Sequence, residues 1–181
     1  MRAGVADHLG WATVVTVSAD HEVVDRRRIE LVEPGVPNMP VHHDSKALDD
    51  AATAALVAEV RASIRRATAR ALDQLARDLP APVRSLSLRT WPADFPTDVA
   101  VLRRVPWEAR ADAVMYREEL AALAARRGWA VHRYDTKRVV DEATAHLGPM
   151  AVDVLDGVRD RLGPPWTKDH RTALAAAITA G

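Results

Sequence analysis

Cysteine is absent from the 181 residues, which excludes disulfides, thiolate nucleophiles, zinc ribbons and iron–sulfur clusters; any metal must be held by oxygen or imidazole. No apolar run approaches the roughly 18 residues of a membrane-spanning helix. The short one after Met1 is broken by Asp7 and His8, so it does not read as a signal peptide. Both absences predict a cytoplasmic protein with no membrane partner. Net charge is missing too, with 25 basic and 25 acidic residues. No global positive field advertises nucleic acid, although a local basic face can be offset by acids elsewhere. There is no internal repeat and no glycine-rich phosphate loop.

What is present is a composition 48% hydrophobic and 28% charged, which supports a packed core rather than disorder. The length predicts a single domain over residues 1–181. Ala3–Ala6 is a short apolar strand, and His8-Leu9-Gly10 is long enough to reverse the chain into the Trp, Val and Thr-rich strand Trp11–Val17. After the polar turn 18–21, the segment Glu22–Val32 places Val23, Asp25, Arg27, Ile29 and Leu31 on one alternating face, a third strand with its other face toward solvent. Four prolines or glycines (Pro34, Gly35, Pro37, Pro40) keep residues 33–47 irregular.

Asp49 or Asp50 can cap a long helix ending at Leu79, with Leu56, Val60, Ile64, Ala67, Ala71 and Leu75 along one face. Val83–Leu88 reads as a fourth strand. A helix with Pro106 in its first turn closes on Arg126-Arg127-Gly128, and Trp129–Tyr134 is a fifth strand. Three further helices are predicted, from Asp135 to Leu147, from Pro149 to Leu162 and from Lys168 to Ala180, the last capped by Thr167 or Asp169. The order predicts an α/β fold: a mixed five-stranded sheet, three meandering strands then two crossover strands, with helices on both faces.

That order is shared by the ribonuclease H-like superfamily. Gly4-Val5-Ala6-Asp7-His8-Leu9-Gly10-Trp11-Ala12 resembles the opening of its RuvC-like resolvases, a hydrophobic strand ending in Asp and then a Gly-aromatic-small step. Asp169-His170-Arg171-Thr172-Ala173-Leu174-Ala175 is similar to the last helix of that branch, and Val131-His132-Arg133-Tyr134 to its fifth strand. The resemblance implies a nuclease in which carboxylates hold Mg²⁺ or Mn²⁺, activate water and stabilise the leaving oxygen of a phosphodiester. It puts Asp7 and Asp169 in the metal-holding and catalytic positions, with His170 beside them as an acid/base helper. The implied partner is nucleic acid, DNA or RNA, and the resolvases' pairing across a symmetric junction implies a homodimer.

Two positions depart from the pattern. The fourth-strand carboxylate falls on Arg89, and the second helical Asp on Thr172. Asp7 and Asp169 with substrate phosphates can still hold a single ion, helped by Asp94, Asp98 or the His42-His43-Asp44 loop. The alternative keeps the fold and drops the chemistry, leaving a catalytically inactive binding or scaffold module. Arg89 decides between them, since a guanidinium in the site repels Mg²⁺ and pairs with Asp7 or Asp169 instead. Structural roles compete at each position: a turn for Asp7, a helix cap for Asp169, a solvated first turn for His170 and an exposed loop for residues 42–44. Arg61, Arg65, Arg66 and Arg70 form a one-sided stripe suited to phosphate contact, or else the solvated face of the long helix. Trp11 and Trp129 read as core, Trp91 and Trp166 as candidates for base stacking.

Overall fold

The computed structural model describes residues 1–180. Five strands, β1 (Arg2–Asp7), β2 (Trp11–Val17), β3 (Val23–Glu30), β4 (Ser85–Arg89) and β5 (Ala130–Tyr134), form one sheet in the order β3-β2-β1-β4-β5. The first three pair antiparallel, and β4 and β5 run parallel to β1. The five strands and their mixed pairing are those expected from the sequence. β1 and β2 are central and covered on both faces, so their runs AGVAD and ATVVTV are almost continuously buried instead of alternating with polar residues. β3 lies at the edge, and only Ile29 on it is fully enclosed.

One face of the sheet packs against α1 (Asp50–Asp78) and α3 (Glu108–Arg126). Val60, Ile64, Leu72 and Leu75 of α1 and Tyr116, Leu120 and Leu123 of α3 cover Val5, Val14, Leu86 and Leu88. At about 25 cal/mol per Å² of apolar surface, each such side chain contributes roughly 1.5–3 kcal/mol. Asp49 caps α1 by accepting from Ala52 N. On the other face lie α4 (Val139–Leu147) and α6 (Lys168–Ile178). Every residue of α6 from Thr172 to Ile178 is buried, as expected of a helix apolar all round. Its alanines allow a close approach: a Cβ on Gly4 would overlap the Ala173 carbonyl oxygen and lie 2.8 Å from Ala177 N. The alanine face of α6 is therefore spent inside the chain and offers nothing to a second copy.

Three helix boundaries differ from expectation. A four-residue helix, α2 (Val99–Leu102), capped by Asp98, occupies part of the Pro-containing stretch after β4. Pro106 sits before α3, which begins at Glu108. The continuous helix expected from Pro149 to Leu162 is instead a 3-10 turn (Gly148–Met150), a π turn (Val152–Asp156) and the short α5 (Val158–Leu162). Gly148 at φ +55° turns the chain, and a Cβ on Gly157 would stand 2.7 Å from the Asp153 carbonyl oxygen. Only glycine, with no side chain, accommodates either arrangement. No helix of the described residues is long and apolar enough to cross a membrane.

Candidate functional site

The parallel strands β1 and β4 end side by side, and α3 and α6 both lie over this edge of the sheet. Open α/β sheets take their ligands at such carboxyl ends. Asp7 closes β1 here and is 3% exposed. Its Oδ2 accepts a 2.8 Å hydrogen bond from Arg117 Nε of α3. Arg89, the last residue of β4, brings its Nε to 3.6 Å from Asp7 Oδ1; neither atom has a hydrogen-bond partner. Beside them the Tyr134 hydroxyl donates 2.7 Å to the Val5 carbonyl. Burial pushes that phenol up to about 12, against the opposing pull of Arg89.

Asp169 takes a different partner. It lies in the first turn of α6, where an acid complements the helix dipole, and its Oδ2 is 2.9 Å from His8 Nε2. His8 stacks on Trp11 with ring centroids 4.1 Å apart and planes 11° from parallel, and the Arg28 guanidinium also lies over Trp11 at 4.1 Å. His170 is occupied as a capping group: its Nδ1 accepts from Thr167 N at 3.2 Å and meets the Thr167 hydroxyl at 2.8 Å. Burial, and then Arg26, lower its pKa. A shallow groove of about 360 Å³ runs past Trp11, Thr167, Asp169 and His170. Thr172, where a second helical carboxylate was expected, is buried and neutral.

The other sequence candidates are committed elsewhere. Arg61 and Arg65 bind Glu118 and Glu119, joining α1 to α3. Arg66 and Arg70 converge on Glu33, holding its carboxyl down at about 2. The one-sided face of α1 meets acids on α3 and on the segment after β3, so these arginines form surface ion pairs while their side chains stay partly to largely exposed. In the 42–44 loop, His42 N and Val41 N donate to the buried Asp112 carboxylate, and His43 pairs with Asp44 at 3.1 Å. Asp98 is spent as the α2 cap, and Asp94 is exposed. Trp91 is buried with Arg133 over its ring at 3.8 Å, and the partly buried Trp166 packs against His170.

A divalent cation needs several hard oxygen ligands carrying negative charge. Here the buried carboxylate of β1 is neutralised by one guanidinium and approached by a second, and Asp169 is held by His8. No group of three or more His, Asp or Glu among the described residues is placed to hold an ion. The residues present do not fit Mg²⁺ or Mn²⁺. Arg117, the partner of Asp7, is the residue that local sequence reading misses. Mid-helix, between the buried Tyr116 and the ion-paired Glu118, it carries no signature. The clue was indirect: a strand-end Asp7 without acidic company requires a cation from somewhere.

No protein-family model matches the chain, and no curated protein matches it in sequence. Solved structures do. Thermus thermophilus RuvC is 16% identical, with 98% of this chain and 90% of that chain covered at a TM-score of 0.52. T. thermophilus RuvC in complex with Holliday junction substrate is 14% identical, covering 98% and 89% at the same TM-score. The fold is that of RuvC. The ribonuclease H-like architecture expected from the sequence is therefore shown, while an identity this low speaks to fold alone. Within the RuvC-like fold, the β1 carboxylate of this chain faces Arg89 and Arg117 where the resemblance implied a metal.

Proposed function

We propose that this chain is a RuvC-fold module that binds nucleic acid without cutting it. The observation that carries the reading is the 2.8 Å ion pair between Arg117 and the buried Asp7, with Arg89 alongside. Metal-assisted phosphodiester cleavage needs a cluster of negative charge that draws in a cation, which then lowers the pKa of a bound water. This cluster holds one negative and two positive groups, so its field disfavours a divalent cation. The nucleic-acid half of the reading is supported by the RuvC structure found with a Holliday junction substrate.

The test is a four-way DNA junction incubated with the protein in Mg²⁺ or Mn²⁺ and read on native and denaturing gels. Retarded junction with no nicked strand is the expected result. Nicking that disappears in Asp7→Asn and Asp169→Asn would overturn the inert reading and restore a nuclease built on Asp7, Asp169 and His170. Calorimetric titration of the two metals into the same proteins gives the second readout. Wild type is expected to show no binding that either substitution removes.

A further inference from the structure

We infer that Arg89 and Arg117, gathered by Asp7, form a receptor for a backbone phosphate of the bound nucleic acid, so that guanidinium groups take a phosphate where a metal would have taken it. This rests on the binding reading above and names the site and the chemistry.

Two guanidiniums share one carboxylate, and the three side chains are largely enclosed: that of Asp7 is 2% exposed, Arg117 16% and Arg89 24%. Asp7 can neutralise only one of the arginines. The remaining positive charge stands at a partly desolvated edge of the sheet, where an unpaired ion is costly and an anionic guest offsets the cost.

Both arginines turn the same atom toward Asp7. Arg117 is bound through Nε, and Arg89 faces the carboxylate through Nε at 3.6 Å. Among the described residues, no carboxylate or carbonyl accepts a hydrogen bond from the terminal amino groups of either arginine, and the Tyr134 hydroxyl oxygen is the acceptor that Arg89 meets. The Tyr134 hydroxyl is the polar neighbour of Arg89, and its proton is given to Val5. Arg117, held through Nε with no protein acceptor on its terminal amino groups, is preorganised for the bidentate contacts that phosphate oxygens make, and Arg89 brings a second guanidinium beside it.

The pair stands at the ends of the adjacent parallel strands β1 and β4, where such sheets bind ligands. The arginines of α1, by contrast, have their forks filled by Glu33, Glu118 and Glu119. Unlike that stripe, Arg89 and Arg117 can receive an oxyanion without displacing a protein carboxylate.

The experiment uses the full chain in EDTA, with arginine side chains labelled with ¹⁵N, titrated with inorganic phosphate and then with an oligothymidylate lacking a terminal phosphate. The expected result is saturable movement of the Arg89 and Arg117 side-chain signals with phosphate, and displacement of that phosphate by the oligonucleotide. Arg89→Gln is expected to weaken phosphate binding at least tenfold, Arg117→Lys to weaken it while keeping the charge, and the surface control Arg126→Gln to leave it unchanged. Wild-type phosphate affinity in Arg89→Gln, or shifts spread evenly over all arginines, would overturn the site. An oligonucleotide that leaves bound phosphate in place would overturn its assignment to a nucleic-acid backbone. Junction binding that survives unchanged in Arg89→Gln rejects this site alone, whereas metal-dependent nicking lost in Asp7→Asn rejects the reading on which it rests.

Discussion

Asp7→Asn has opposite effects on stability under the two readings of the site. In a metal site the carboxylate sits among other carboxylates, and removing its charge from the metal-free protein relieves repulsion. Here, among the described residues, Asp7 is the one anion that pairs with Arg89 and Arg117. Unit charges about 4 Å apart attract by roughly 4 kcal/mol at an effective dielectric of 20. The repulsion between Arg89 and Arg117 cancels much of the second attraction, so the cluster is worth close to one pair. The amide oxygen introduced by Asp7→Asn would still accept a hydrogen bond from Arg117, and losing the charge assistance should cost about 1.5–3 kcal/mol. Arg117→Gln leaves a nearly fully buried carboxylate with only the longer Arg89 contact and should cost about 3–5 kcal/mol. The double variant should cost less than the sum by about 2 kcal/mol, because the two side chains act as one unit. Urea unfolding of wild type, both single variants and the double variant, at fixed pH in EDTA, measures all of these. An Asp7→Asn protein more stable than wild type, or strictly additive costs, would refute the ion-pair account.

Packing and protonation elsewhere in the chain make three further outcomes measurable. Gly4→Ala forces a methyl group into the Ala173 carbonyl and against Ala177 N; since backbone cannot rotate aside, the cost should reach at least about 3 kcal/mol in urea unfolding. Ser87 is 1% exposed with its hydroxyl unpartnered, so Ser87→Ala should be neutral or stabilising by up to about 1 kcal/mol, read as a raised urea midpoint. His21, at φ +63° in the β2–β3 turn, contacts Arg2 at 2.9 Å and His146 ring to ring, and burial, followed by Arg2 and His146, lowers its pKa against the opposing Asp20. The unfolded chain therefore takes up the proton first: stability is full above about pH 6.5 and is lost as pH falls through the lowered folded value. His21→Asn, which tolerates the positive φ, should lose less of its melting temperature between pH 7.5 and 5 than wild type; His170 and the Met1 amino group, shifted the same way, contribute to the dependence that remains.

Periodicity carried most of the fold into view because each element is built from local signals: Asp49 before α1, Gly128 at φ +74° after α3, Thr167 before α6. The segment 148–162 escaped because glycine and apolar spacing alone do not distinguish one helix from three short turns. Asp7 and Arg89 were legible as a conflict, an acid and a base on neighbouring strand ends. Arg117 and His8, which settle how Asp7 and Asp169 are used, lie 110 and 161 residues from their partners, and no local pattern encodes such a pairing. The arginine stripe on α1 shows the same limit, since its spacing was right and its partners, Glu33, Glu118 and Glu119, were invisible until α1 met α3. By itself the sequence determined the strand and helix order and the mixed sheet, because propensity, capping and hydrophobic period act over a few residues, and the resemblance to RuvC-like resolvases marked Arg89 as standing where a carboxylate was implied. Only the tertiary structure decided which charges neutralise one another, because Coulomb energy depends on distance and burial in space, and those are set when the sheet edge and α3 come together around Asp7.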